Sequence, residues 1–152
     1  MDALILSCGT GGGHNAEGQA IEEELKKRGH QVVMMDPYEL VSNRLASSIG
    51  NLYIKIVQRS PELFGFIYML GNIYRRFPFR SPVYFINKKP AMQLKKYLEE
   101  HHVDVIVMPH LYPAEIITYL KSEGVKVPKS VFIATDYTCI PFTEETNCDV
   151  CV

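Results

Sequence analysis

The run Gly9-Thr10-Gly11-Gly12-Gly13-His14 follows directly on an apolar stretch, residues 3–7, and opens a segment with helical periodicity. Few folds accommodate that order. Four glycines let the backbone turn sharply and come close to a ligand. A strand that feeds such a loop into a helix aims backbone N–H groups from the helix N-terminus, a natural site for anions and polar ligands. A histidine within the loop adds a candidate base for chemistry beyond phosphate cradling.

The pattern continues in the same style. Residues 14–28 read as a helix, with Ala16, Ala20, Ile21 and Leu25 on one face and Glu22, Glu23, Glu24, Lys26 and Lys27 outward. Gly29 supplies the C-terminal cap. Further strands are predicted over 31–35, 103–108 and 130–135, and further helices over 91–101 and 113–122. Solid apolar strands alternating with helices predict an α/β fold, a Rossmann-like parallel sheet with helices on both faces. Such sheets bind ligands at the carboxyl ends of their strands. The glycine loop with His14, Asp36, His110 and Asp136 all fall at those ends.

Between the second and third strands lies a long insert, residues 42–90. It reads as two helices, 42–60 and 62–76, broken at Pro61, followed by a turn over 77–82. The whole chain carries a net charge of −1, yet eight basic residues against the single acid Glu62 give this segment +7 and leave −8 elsewhere. It also holds nine of the sixteen Phe and Tyr residues. A basic, aromatic insert in an acidic domain predicts a partner surface of its own. Leu52, Tyr53, Ile56, Leu63, Phe64, Phe66, Ile67, Tyr68 and Leu70 are candidates to line an acyl-chain groove or enter a membrane interface. Arg59, Arg75, Arg76 and Arg80 are candidates to hold anionic head groups, at about 1 kcal/mol per charge near a membrane surface. Nucleic acid is not an expected partner, because the acidic body repels a polyanion.

With 152 residues the chain suffices for one domain with a sizeable core. No apolar run approaches the ~20 residues of a membrane span, and residues 3–7 are too short for a signal core. Cys8, Cys139, Cys148 and Cys151 read as reduced thiols, which leads to an expected cytoplasmic location. Cys148-x-x-Cys151 lacks the two further ligands that zinc needs, so no metal is expected. Residues 148–152 read as the start of another strand, and the expectation is a piece of a larger chain.

The octapeptide Ser7-Cys8-Gly9-Thr10-Gly11-Gly12-Gly13-His14, with Gly18-Gln19-Ala20-Ile21 in the helix it opens, resembles the start of the monogalactosyldiacylglycerol synthase and processive diacylglycerol glucosyltransferase family. Met108-Pro109-His110 with Pro113 is similar to that family's histidine-proline turn, although the order here is Pro-His. Thr135-Asp136-Tyr137, followed by Pro141-Phe142, resembles its Thr-Asp strand end. The resemblance implies a glycosyltransferase of the two-domain B fold. Residues 1–152 would form its amino-terminal, acceptor-binding domain, and a carboxyl-terminal UDP-sugar domain would lie beyond Val152. It further implies inverting transfer of glucose or galactose from a UDP-sugar to diacylglycerol or a related lipid, on the cytoplasmic face of a membrane. His14 would be the catalytic base, with Asp136 beside it as an orienting or acceptor-binding group. Gly11, Gly12, Gly13, Asn15 and His110 would form the loop that binds acceptor or diphosphate. No cofactor is implied beyond the UDP-sugar co-substrate, and the oligomeric state stays open.

Two other readings compete. Gly11 to Ala16 also fits the G-x-G-x-x-A dinucleotide fingerprint, with Asp36 about 20 residues further on, which suggests an NAD(P)- or flavin-binding oxidoreductase domain. A non-enzymatic lipid-binding module would share the basic, aromatic insert.

Overall fold

A computed structural model describes residues 1–9, 12–77, 80, 82–136 and 140–152, leaving aside the side chains of Tyr53, Pro82 and Val83. Five strands, β1 (Asp2–Leu6), β2 (Gln31–Met35), β3 (Val105–Met108), β4 (Lys129–Phe132) and β5 (Val150–Cys151), form one sheet in the order β2-β1-β3-β4-β5. Every pairing is parallel. Around the sheet run α1 (Gly12–Lys27), α2 (Asn43–Arg59), α3 (Pro61–Tyr74), α4 (Pro82–Ile86), α5 (Lys88–Glu100) and α6 (Leu111–Ser122). The strand order reverses between β1 and β3, so the loops after these two strands diverge and leave a crevice at the carboxyl edge.

Alternation along the strands assigns the two faces. Leu4, Leu6, Ile106, Met108 and Phe132 join Ala91 and Leu94 of α5 and Ala114, Ile117 and Leu120 of α6 in the main core. Ile5 faces the other way, toward α1. There Gly18 sits so close that a Cβ would stand 2.8 Å from the Met34 side chain and 3.5 Å from Ile5. The prediction of a Rossmann-like α/β sheet holds. Coverage is thinner at β2, whose Val33 stays 48% exposed, because an edge strand has neighbours on one side only.

The loops after the strands are tied down by side chains. The Asp36 carboxylate accepts from Gly9 N at 3.2 Å and from Tyr38 N at 2.9 Å, so the ends of β1 and β2 share one anchor. The buried Tyr38 hydroxyl donates to Asn87 Oδ1 at 2.7 Å, linking the turn after β2 to the head of α5. Asp149 accepts from Ser130 N, Ser130 Oγ and Lys121 Nζ, which fastens β5 to β4 and holds its carboxyl down at about 2. The expected strand at 148–152 is present as β5.

Element ends differ from the sequence reading in ways that matter. β4 stops at Phe132 rather than at 135, because the chain then turns the Thr135 hydroxyl onto the Pro109 carbonyl at 3.1 Å. The helix expected over 91–101 starts at Lys88, since a proline in the first turn needs no amide donor. Lys88, Lys89 and Pro90 therefore belong to α5 and not to the insert. Within the expected turn at 77–82, Pro78, Phe79 and Ser81 lie outside the described residues, and Pro82 already begins α4.

The insert helices stand over the carboxyl edge of the sheet. Ser42 caps α2 by accepting from Leu45 N, and Pro61 separates α2 from α3. At Gly50, α2 passes so near the loop after β1 that a Cβ would lie 2.5 Å from the Gly9 carbonyl oxygen. At Gly71, α3 meets Pro141, 3.2 Å from where a Cβ would be. Gly50→Ala is therefore expected to cost about 1–3 kcal/mol of stability by forcing α2 off that carbonyl. Gly65→Ala, in open space on α3, is expected to gain up to about 1 kcal/mol from helix propensity. Urea unfolding midpoints of the two variants check the contrast.

Candidate active site

The site begins at the head of α1. The helix starts at Gly12, so Gly12, Gly13 and His14 form its first turn, where amide N–H groups have no intrahelical partner by position. Gly11 and Thr10 lie outside the described residues. Asn15 accepts from the Ser7 hydroxyl at 2.5 Å, which fixes the first turn to the end of β1.

Among the described residues, His14 is held by hydrogen bonds from one side. Its Nδ1 lies 2.9 Å from the Pro109 carbonyl oxygen and also against the Thr135 hydroxyl. A carbonyl only accepts, so in the neutral ring Nδ1 carries the proton. The Thr135 hydroxyl donates to the same carbonyl and receives the Nδ1–H as acceptor. Nε2 is left with its lone pair. On that side stands Asp136, with Oδ1 at 4.0 Å, beyond hydrogen-bond distance. The groups that orient His14 are thus Pro109 and Thr135, while Asp136 flanks the opposite nitrogen. The Thr135-Asp136 pair in the sequence contained this division without revealing it.

His110 has a different environment. It is buried, caps α6 by accepting from Tyr112 N at Nδ1 (3.1 Å), and packs edge-on against His14 with ring centroids 4.4 Å apart. Burial, and secondarily the neighbouring His14, push its pKa down to about 3. His110 is a neutral wall and cap that supports the first imidazole.

His14, His110 and Asp136 form the polar end of a cavity of about 280 Å³. Its other walls are Ile49, Leu52 and Ile56 of α2, Phe64, Ile67 and Tyr68 of α3, and Tyr112 and Ile140. Of the residues expected to line a groove, Leu52, Ile56, Phe64, Ile67 and Tyr68 are in this wall. Leu63, Phe66 and Leu70 are not, and stay 47%, 50% and 47% exposed. The Tyr53 side chain lies outside the description. Arg59, Arg75, Arg76 and Arg80 are exposed and away from the cavity, Arg75 within 3.8 Å of Glu144.

A second cavity of about 160 Å³ adjoins the first, sharing Ile67, Tyr68, Tyr112 and Ile140, and is closed by Gly71, Leu111, Glu115, Pro141 and Phe142. Glu115 escaped the sequence reading. Its only signal was a lone acid inside the apolar run of α6, where burial is now complete.

Asp36 bears on the dinucleotide reading. In that reading the acid after the second strand binds a ribose. Here both of its oxygens hold backbone amides of its own domain, and burial raises its pKa. Cys8 is buried and its thiol is pushed well up by burial, and the Cys148 thiol is raised to about 11 for the same reason. Neither suits a reactive thiolate.

Fold and site together define a class: a Rossmann-like α/β domain, consistent with the amino-terminal half of a glycosyltransferase B fold, that sets an oriented imidazole at the polar end of an apolar cavity. The chain belongs to the monogalactosyldiacylglycerol (MGDG) synthase family, whose model matches residues 14–152. That family is one of glycolipid glycosyltransferases and implies a diacylglycerol acceptor. The match opens at His14 and takes in Pro109, His110, Thr135 and Asp136, while Gly9 to Gly13 precede it. No curated protein and no solved structure matches the chain.

Two groups on either side of the first turn and a half of α6 respond to pH in opposite senses. His110, lowered from 6.5 to about 3, contributes stability that is complete above pH 6.5 and is lost as pH falls toward 3. Glu115, raised from 4.5 to about 7, contributes stability that is complete below pH 4.5 and is lost as pH rises through 7. Between 4.5 and 6.5 the two slopes oppose each other. His110→Asn keeps a good cap and removes one slope. Relative to the parent, its unfolding free energy is expected to gain up to about 1.4 kcal/mol per pH unit on acidification from 6.5. Urea titrations from pH 4.5 to 8 check the sign.

Proposed function

We propose that this chain is the acceptor-side domain of an inverting glycosyltransferase that moves a hexose from a UDP-sugar to the free hydroxyl of diacylglycerol. The observation that carries the reading is the lone pair of His14 Nε2, facing a cavity whose remaining walls are apolar. Acyl chains would lie against α2 and α3, and the glycerol hydroxyl would reach the polar end. The hydroxyl proton passes to Nε2 as its oxygen bonds to the anomeric carbon of the sugar. The bond from that carbon to the diphosphate breaks, and UDP leaves with the electron pair. Asp136 stabilises the imidazolium that forms, across the 4.0 Å gap. The amides of Gly12 and Gly13, in the first turn of α1, would meet the departing diphosphate. A donor-binding half would be supplied by a second domain of the native protein.

The insert supports a membrane role for the same domain. Apart from Glu62 and Asn72, α3 consists of apolar and aromatic residues and glycine, yet none of its residues is buried. A helix of that kind suits lipid better than water. Among the described residues no helix is long and apolar enough to cross a membrane, which favours α3 lying in the interface. Arg59, Arg75, Arg76 and Arg80 would face anionic head groups there, on the cytoplasmic leaflet, while Phe66 enters the acyl boundary and Phe64 and Tyr68 face the lipid cavity.

In the native protein, His14→Ala is expected to lower sugar transfer from UDP-glucose or UDP-galactose to diacylglycerol by about 10²–10⁴-fold. Retained turnover would remove the base assignment. Thr135→Val deletes one orienting contact and is expected to lower kcat by about five- to tenfold, the worth of one hydrogen bond. Co-flotation with vesicles tests the surface. Binding should require anionic lipid, fade with salt and drop in the double variant Arg75→Glu/Arg76→Glu. Equal binding to neutral vesicles, or none to any, would count against the basic insert as a docking face.

A further inference from the structure

Glu115 is fully buried on α6, and among the described residues neither carboxyl oxygen has a hydrogen-bond partner. A buried polar group left in that state loses its hydration without compensation, so its presence calls for a partner beyond the described residues. The side chain forms part of the wall of the second cavity, whose other walls are nearly all apolar. That cavity shares Ile67, Tyr68, Tyr112 and Ile140 with the one that begins at His14, so a single ligand can occupy both. Along α6, Glu115 stands five residues beyond His110, about 7.5 Å of helix rise, and His110 touches His14. A glycerol carrying an ester can span that separation from hydroxyl to carbonyl.

We propose that the second cavity is an ester subsite, in which the Glu115 carboxyl donates a hydrogen bond to an acyl carbonyl of the lipid acceptor. The inference rests on the acceptor reading given above. A carboxylic acid has one O–H donor and an ester carbonyl accepts only, so the pairing completes both groups. The protonated form is favoured first by burial, then by Glu145 and Glu144 from the turn before β5; Arg80, ahead of α4, acts in the opposite sense. Tyr38 and Cys148 also lie within its field. Burial and the two acids hold the Glu115 pKa up at about 7, so the donor is present below neutral pH and is lost as pH rises through 7.

The test compares dioleoylglycerol with its dialkyl ether analogue, which has the same hydroxyl and tails but no carbonyl. In the native protein, the preference for ester over ether, read as the ratio of KM values, should fall about tenfold in Glu115→Leu, the worth of one hydrogen bond to a buried group. Glu115→Gln keeps an N–H donor and should restore most of it. The ester preference of the parent should decline above pH 7, while that of Glu115→Gln stays flat. Glu115→Leu removes an unpartnered carboxyl and should fold with equal or greater stability. Equilibrium binding of fluorescent versions of the two lipids is measured alongside, so that the subsite is judged even where no sugar moves. Absence of transfer to either lipid, with ester-selective binding intact, would overturn the reaction and leave the subsite standing. An equal loss for ester and ether, or no loss in Glu115→Leu, would overturn the subsite.

Discussion

The arrangement at the carboxyl edge depends on one hydrogen-bonded knot. The Pro109 carbonyl, at the end of β3, accepts from both the His14 ring and the Thr135 hydroxyl. Three chain segments that enter from β1, β3 and β4 meet at a single acceptor. Each strand is fixed by its own ladder, so the knot transmits the rigidity of the sheet to one imidazole. A donor shared between a carbonyl and a hydroxyl leaves the ring little freedom to flip, because a flip would replace the Nδ1–H donor with the Cδ2 carbon and leave both oxygens without it. An imidazole held this way needs no loop closure to orient it.

The insert solves a problem that the sheet cannot. A doubly wound sheet offers polar loop ends at its carboxyl edge and no apolar enclosure. α2 and α3 supply the enclosure by standing on that edge, and two glycines set how closely they stand, Gly50 over the Gly9 carbonyl and Gly71 over Pro141. Helix α3 is left with an apolar face toward the cavity and another away from it.

Much of this was legible before any coordinates. The apolar strands, the glycine run and the stop at Gly29 carried the sheet and α1, because buried parallel strands and helix caps leave local marks. His14 was legible for the same reason, being adjacent in sequence to the run that positions it. What orients His14 was not, since Pro109 and Thr135 are 95 and 121 residues away and meet it only through strand order. His110 was legible as a residue at a strand end, but its work as a cap depends on where α6 begins. Glu115 was hidden because a single acid on a helix ordinarily faces water. It is enclosed where α6 meets α3 and residues 140–142. The groove residues divided by helix face, and a short break at Pro61 decides which faces meet.

The knot also makes the imidazole a dead end for protons. In the proposed reaction a proton arrives at Nε2, and the far nitrogen already holds one against a carbonyl that cannot take it away. Among the described residues no relay leads from the ring into the interior, where His110 is buried and neutral. On that reading the captured proton departs on the cavity side of the ring, where Asp136 stands. Resetting the base therefore waits on clearing the cavity, and the pace of successive turnovers is tied to how readily a newly glycosylated lipid slides back out between α2 and α3.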